Sequence, residues 1–344
     1  MSATVKGALD FDAASLWDYL AQTFGPDGGT YRLERVRGGQ SNPTYFLDWN
    51  DQRLVLRKKP NGAVLKGAHA VEREFRVQSA LAHSDVPVPA MLCLEEDAGV
   101  LGTPFYVMER IDGRVFDNPS LPEVAQKDRR GIWAAAAKAL ASLHRLEPAS
   151  VGLSNYGRPG DYFERQLHMW SRQYEASQSP PIAEIETLRD WLGRNMPSND
   201  GVSALCHGDF RLGNLMFHPS EARVAAVLDW ELSTLGHPMA DLGFVAMAWH
   251  TAPEEYGGLL GLDLAAEGLP SEADFLEHYQ SALGHDVALT RFHRAFALFR
   301  FAVIFVGISD RATAGTASDP AAANLAPLAR CFAIRALDIC DSAE

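Results

Sequence analysis

The chain changes character near residue 110, and that change limits the folds open to it. Up to that point short apolar runs alternate with glycine, proline and asparagine turns; beyond it, longer runs carry apolar side chains at helical spacing. Tyr31 to Val36 and Thr44 to Trp49 flank Gly38-Gly39-Gln40-Ser41-Asn42, a strand–turn–strand pattern. Asn50-Asp51 turns into a third strand, Arg53 to Lys58, closed by Pro60 and Gly62. Leu92 to Glu95 and Pro104 to Arg110 read as two more strands around a turn from Glu96 to Gly102. Two helices belong to this part. One starts at Asp12 as N-cap and carries Leu16, Leu20 and Phe24 on one face; the other covers Ala68 to Ala82. After the change, Lys127–Arg145, Tyr162–Tyr174, Ala183–Asn195, Ala240–His250, Ser271–Leu283, Leu289–Ser309 and Ala321–Ala343 all read as helices. The expected class is therefore α+β. A small antiparallel β-rich lobe occupies 1–110 and a larger helical lobe 111–344, and a cleft between such lobes is a natural ligand site.

The net charge of −13 repels nucleic acid and anionic membrane surfaces, so neither is an expected partner. A local basic stretch, Arg53, Arg57, Lys58, Lys59 and Lys66, stands against this background. Cys93, Cys206, Cys331 and Cys340 are scattered with no Cys-x-x-Cys pair, which argues against a zinc site or a disulfide framework. Met1 to Asp10 has no signal-peptide pattern, and the apolar run Ala295 to Ile308 is interrupted by Arg300 and too short to span a bilayer. A cytoplasmic protein with reduced thiols is expected.

The chemistry concentrates in His207-Gly208-Asp209-Phe210-Arg211-Leu212-Gly213-Asn214, followed by Val227-Leu228-Asp229-Trp230. A carboxylate, an amide five residues on and a second carboxylate beyond that suit phosphoryl transfer. Asp209 would orient an acceptor hydroxyl and take its proton, presented at a strand end by Gly208. Asn214 and Asp229 offer the hard oxygen donors that Mg²⁺ prefers. Alone, Asp209 is an ordinary loop aspartate; the constellation gives it meaning. His207 and Asp241 are read as braces of the loop, with no part in the chemistry.

In the first lobe, Arg57 on a strand and Glu74 on a helix suit a phosphate-binding cation fixed by a carboxylate. Strand alternation puts Arg57 on one face with Val55 and Lys58 on the other. The loop containing Gly39, Ser41 and Asn42 can lay backbone N–H groups over phosphates. The strand Phe105 to Met108 ends in Glu109-Arg110-Ile111, where free backbone groups can meet a purine edge.

Together these residues resemble the aminoglycoside phosphotransferase/choline kinase-like family, which has a protein-kinase-like two-lobed fold. The resemblance runs from about Arg32 to the last helices. Gly38 to Asn42, Val71-Glu72-Arg73-Glu74 and Leu228-Asp229-Trp230-Glu231 through Gly236-His237-Pro238 look most like the branch that includes kinase-like domains fused to acyl-CoA dehydrogenases. The resemblance implies ATP and Mg²⁺ as cofactors and Asp209 as catalytic aspartate. It implies Asn214 and Asp229 on the metal, Glu74 paired with the cation, and backbone groups of Glu109 and Ile111 on adenine. The family's strand lysine is Arg57 here, which is forked and always charged. Trp230 replaces the phenylalanine of protein kinases and no glycine follows, so a phosphorylation-switched activation loop is not expected.

The expected function is ATP- and Mg²⁺-dependent phosphorylation of a small-molecule hydroxyl, with a hydroxyacyl-CoA or related metabolite as the acceptor the resemblance implies. The alternatives are a pseudokinase-like nucleotide-binding module, favoured by Arg57 and opposed by Asp209, Asn214 and Asp229, and an aminoglycoside phosphotransferase. Tyr162, Arg165, Trp170 and Arg300 are candidates to line the acceptor site, and the basic stretch from Arg53 to Lys66 is a candidate for CoA phosphates.

Overall fold

The computed structural model describes residues 3–26, 31–36, 42–62, 70–158, 160–315 and 325–342. Its internal contacts divide the chain into two compact units, Met1–Gly113 with Ala225–Leu232, and Arg114–Val224 with Ser233–Glu344. The division expected from sequence near residue 110 assigns Ala225–Leu232 to the later part. The chain instead returns that segment, with Asp229 in it, to the first unit.

The first unit contains β1 (Ala3–Lys6), α1 (Ala13–Phe24), β2 (Tyr31–Arg35), β3 (Thr44–Trp49), β4 (Gln52–Lys58), α2 (Val71–Leu81), β5 (Met91–Glu95), α3 (Ala98–Leu101) and β6 (Phe105–Glu109). The strands form one sheet in the order β1-β2-β3-β4-β6-β5. All neighbours are antiparallel except β1, which runs parallel to β2. Neither β1 nor the short helix α3 is expected from the sequence, since four residues carry too little periodicity to read. Strand alternation builds the core: Tyr45, Leu47 and Trp49 of β3 face inward, while the residues between them are only partly covered. They pack with Leu33, Leu54 and Leu56 against Leu16 and Leu20 of α1. The Asp12 carboxylate accepts from the N–H groups of Ala14 and Ser15, the expected cap. Helix α2 lies against β5 and β6 and buries Val71, Glu74, Val77, Gln78 and Leu81. A glutamate on that buried stripe needs partners, and the functional site supplies them.

The second unit holds α4 (Gln126–Arg145), α5 (Tyr162–Glu175), α6 (Ala183–Arg194), β7 (Ala204–Cys206) and β8 (Leu215–Phe217). Strand β9 (Val224–Val227) carries the chain out to the first unit, and β10 (Thr234–Gly236) brings it back to pair antiparallel with β7. Helices α7 (Met239–His250), α8 (Glu272–Leu283), α9 (Arg291–Thr313) and α10 (Ala326–Asp341) complete the unit. Helix α9 is the structural axis, packed on α7 and α10. Gly243 permits the close approach of α7 to α9, because a Cβ there would meet the His293 carbonyl oxygen at 2.4 Å. The helical span of α9 is longer than its apolar run, and by length and composition it is one helix that could cross a membrane; 67% of its most apolar window is buried inside the protein.

Candidate active site

In the second unit, β7 delivers the chain into His207-Gly208-Asp209. Gly208 sits at φ +83°, in the left-handed region where glycine is unstrained. The loop is fastened from α7. The Asp241 carboxylate accepts from the N–H of His207 at 2.7 Å and of Gly208 at 2.8 Å, and meets His144 Nε2 at 3.2 Å. His144 Nδ1 is in turn 2.8 Å from the Tyr279 hydroxyl. Burial pushes the Asp241 carboxyl up, but the His144 hydrogen bond and charge, with those of the loop, hold it below the usual carboxylate range. His144, Cys206 and Asp241 form a buried trio with potential ligand atoms within 4.8 Å of one another. The hydrogen bonds already claimed from Asp241 make the trio a brace. His207 is fully buried, and its Nδ1 accepts from the Asp209 N–H at 3.2 Å. The bracing roles read from the sequence for His207 and Asp241 are what these bonds perform.

Asp209 and Asn214 are brought together. The Asn214 amide donates to the Asp209 Oδ2 and to its carbonyl oxygen, both at 2.8 Å, across a single 3₁₀ turn, Leu212–Asn214. This leaves Asn214 Oδ1 with no hydrogen-bond donor among the described residues, a hard oxygen free for a cation. Arg211 Nε is 3.8 Å from Asp209 Oδ2. Burial raises the Asp209 carboxyl above its ordinary value, against the pull of Arg211, His207, Arg300 and Asn214. A carboxylate whose affinity for a proton is raised is a better general base.

In the first unit, Arg57 is the centre of a second cluster. Its Nη2 donates to Asp229 Oδ1 at 2.6 Å. Its Nε lies 3.0 Å from Glu74 Oε2 but off the line of a directed hydrogen bond, so that contact acts as an ion pair. Asn42 donates to Glu74 Oε1 at 2.6 Å and the Tyr106 hydroxyl to Oε2 at 3.0 Å. Burial drives the Glu74 carboxyl up to about 7, with Arg57 and Tyr106 pulling it back and the charges of Asp229 and Glu231 adding to the rise. Burial disfavours the Arg57 charge, yet Tyr106, Glu74 and Asp229 together raise its affinity for the proton. Asp229 adopts φ +64°, a left-handed conformation that aspartate tolerates better than most residues. Trp230 behind it is fully buried and donates to the Val227 carbonyl at 2.9 Å.

The remaining expected site residues have their own partners in the fold. Asn42, whose backbone N–H the sequence offers to phosphate, also commits its side chain to Glu74; Gly39 and Ser41 lie outside the described residues, as does Lys66. The Glu109 N–H is engaged with Ala90 O at 2.9 Å and the Arg110 N–H with Arg53 O at 3.0 Å, while Ile111 stands beyond the end of β6. Among the described residues of the basic stretch, Arg53 pairs with Asp112, Lys58 with Asp10 and Lys59 with Glu72, so these cations have acidic partners within the first unit. Arg165 donates to the carbonyls of Gly160 and Asp161 and lies over Tyr162. The Arg300 guanidinium sits 5.5 Å from the Trp170 ring and 5.4 Å from the Phe244 ring.

The profile of the phosphotransferase enzyme family (APH) matches residues 32–292. The chain belongs to that family. It is 40% identical over 339 residues to acyl-CoA dehydrogenase family member 10 of Mus musculus, covering 97% of this chain and 32% of the relative. It is 42% identical over 335 residues to the probable acyl-CoA dehydrogenase IBR3 of Arabidopsis thaliana, covering 91% of this chain and 41% of that one. The chain thus spans well under half the length of these curated relatives. A provisionally named aminoglycoside phosphotransferase of Ralstonia eutropha superposes with a TM-score of 0.87 at 41% identity, over 97% of this chain and 99% of that one. The phosphotransferase APH(4)-Ia, in a ternary complex with AMP-PNP and hygromycin B, shares the fold at 15% identity, with a TM-score of 0.64 over 96% of this chain and 100% of that one. The chain has the kinase-like fold of that phosphotransferase family.

Sequence reasoning on this phosphotransferase missed His144, Tyr279 and Arg211. His144 stands in the last turn of an ordinary helix, and nothing local marks it. Arg211 lies inside the motif itself, in a position that spacing alone leaves anonymous.

Proposed function

We propose that this phosphotransferase moves the γ-phosphoryl group of ATP, with Mg²⁺, to a hydroxyl of a small molecule, a hydroxyacyl-CoA or related hydroxylated metabolite. The observation that carries the reading is Asp209: partly buried, raised in proton affinity, oriented by Asn214 and set on a loop fastened by Asp241. Its carboxylate accepts the proton of the acceptor hydroxyl as that oxygen bonds to the γ-phosphorus. The bond from phosphorus to the β–γ bridging oxygen breaks, and ADP leaves. Asn214 Oδ1 and the Asp229 oxygen not taken by Arg57 are suitable donors for the metal, which when bound would neutralise charge on the phosphates. Arg57, held between Glu74 and Asp229, is the cation for the nucleotide phosphates in this reading. The Glu109 N–H is held by Ala90, so in this reading the Glu109 carbonyl and the Ile111 backbone serve adenine. The use of ATP is supported by the family and by the nucleotide analogue in the APH(4)-Ia complex. The acyl-CoA acceptor is supported by the names of the relatives whose length this chain partly covers.

The test is ADP release across hydroxyacyl-CoA thioesters, aminoglycosides and choline-like alcohols, with wild type beside Asp209→Asn. A general base contributes about 10²–10⁴-fold, so the variant is expected to lose acceptor-dependent turnover by that order. Full turnover in Asp209→Asn rules the reading out. Turnover with aminoglycosides alone rules out the acyl-CoA acceptor.

A further inference from the structure

The strongest unassigned feature is a pocket of about 90 Å³ in the second unit, one side chain away from Asp209. Its walls include Phe210, Leu215, Phe244, Met247, Tyr256 and Phe301. Arg211 also lines it, and the same guanidinium has its Nε 3.8 Å from Asp209 Oδ2. The pocket is therefore continuous with the catalytic loop through Arg211, and its surface is mostly aromatic and aliphatic, with Asp117, Thr251 and Glu255 as further polar members.

One wall is held in an unfavourable conformation. Tyr256 sits at φ +71°, where a bulky side chain is strained, yet 54% of its surface is exposed. Such strain persists only where the surroundings impose it. Here Glu255 pins the loop: its carboxylate takes two contacts of 2.9 Å from Arg335 and accepts the Ala252 N–H at 2.9 Å. The ring is thereby set edge-on against Phe301 at 5.5 Å and Phe305 at 5.1 Å.

Resting on the reading of Asp209 as the base, we propose that this pocket receives a short aliphatic segment of the acceptor alcohol and that Tyr256 sets how long that segment can be. A cavity of about 150 Å³ holds a benzene ring and a water occupies about 30 Å³, so the space fits roughly three or four carbons. Polycationic aminoglycosides have no such segment to offer. The inference concerns the apolar part of the acceptor and is independent of what its remainder carries.

The probes are unbranched alcohols from ethanol to octanol, titrated into protein labelled with ¹³C at the methionine methyls, with the Met247 signal assigned through Met247→Leu. Each methylene up to butanol or pentanol should tighten binding about fourfold, with no gain beyond. Tyr256→Phe should keep that series. Tyr256→Gly, which relieves the left-handed strain, should flatten the last increments to less than twofold. Ala248→Leu, which fills the pocket, should abolish the Met247 shift and serves as the independent test where Tyr256→Gly does not fold. A flat series in wild type, an unmoved Met247 methyl, or a Tyr256→Gly series equal to wild type overturns the proposal. These readouts need no turnover. A flat series beside Asp209-dependent ADP release sinks the pocket alone, whereas a graded series without Asp209 dependence sinks only the catalytic reading.

Discussion

His293 offers the most quantitative test of the packing that supports the site. Its ring is 6% exposed, and its Nδ1 accepts the Thr290 N–H at 3.1 Å, a bond that requires an unprotonated nitrogen. It stacks on His237 at 6.0 Å with 11° between planes and meets Phe163 at 5.2 Å. Burial, then the charges of His237 and Arg294, lower its pKa from 6.5 to about 4, against the opposing pull of Asp200. The unfolded chain therefore binds a proton between pH 6.5 and 4 that the folded ring refuses. The stability this ring contributes is complete above pH 6.5 and is lost as pH falls toward 4. The full loss is about 3 kcal/mol, and about 2 kcal/mol of it is reached by pH 5. His293→Gln removes the titration while retaining an acceptor at the third position of the helix, where glutamine also completes a capping box. Urea unfolding of both proteins at pH 7 and pH 5 isolates the effect, because titrating groups not coupled to this ring cancel in the difference. Wild type should lose about 2 kcal/mol more than the variant between the two conditions. Equal losses would refute the buried neutral ring.

Arg57→Met should cost about 3 kcal/mol in stability, because Glu74 is left buried and Asp229 partly buried without their cation, whereas Arg57→Lys should cost appreciably less; thermal and urea unfolding of the pair compare them. The raised Glu74 carboxyl, about 7, means the folded protein holds a proton that the unfolded chain releases from pH 4.5 upward. Wild type should therefore lose stability relative to Glu74→Gln as pH rises from 4.5 to 7, and a reversed slope in matched urea series would contradict that environment. Asp241→Asn should lower ADP release by at least tenfold and destabilise the fold by about 3 kcal/mol, since one amide cannot accept as the carboxylate does from two loop N–H groups and His144. Gly243→Ala should be destabilising by more than 1 kcal/mol in urea unfolding, as α7 must move off the His293 carbonyl.

The parts of this molecule that were legible in its sequence are those with local signatures. Periodicity located α1, α4 and the long C-terminal helices, and the spacing within His207 to Asn214 located a carboxylate and an amide that do meet. Strand alternation correctly separated Arg57 from Lys58, which turns away to a partly buried pair with Asp10. What escaped depends on pairings between distant residues. Neutralisation of the basic stretch requires knowing that Asp10 and Glu72 fall beside Lys58 and Lys59, and no local pattern contains that. The link from His144 through Asp241 to the loop spans three segments, each unremarkable alone. Strand β1 is four residues long and finds its partner only through the sheet.

The separation of 172 positions from Arg57 to Asp229 has a consequence for how the chain is made. At roughly 5–20 residues per second on the ribosome, about 10–30 s separate the emergence of the arginine from that of its second counter-ion. During that interval the first sheet can form, but its central cation has only Glu74 to answer it. A nascent chain that stalls before residue 229 should thus leave the Arg57 Nη2 donor without its carboxylate in an otherwise finished core, a defect a chaperone or protease can recognise. Completion of the second unit's first helices is, in this sense, a condition for the first unit to be whole.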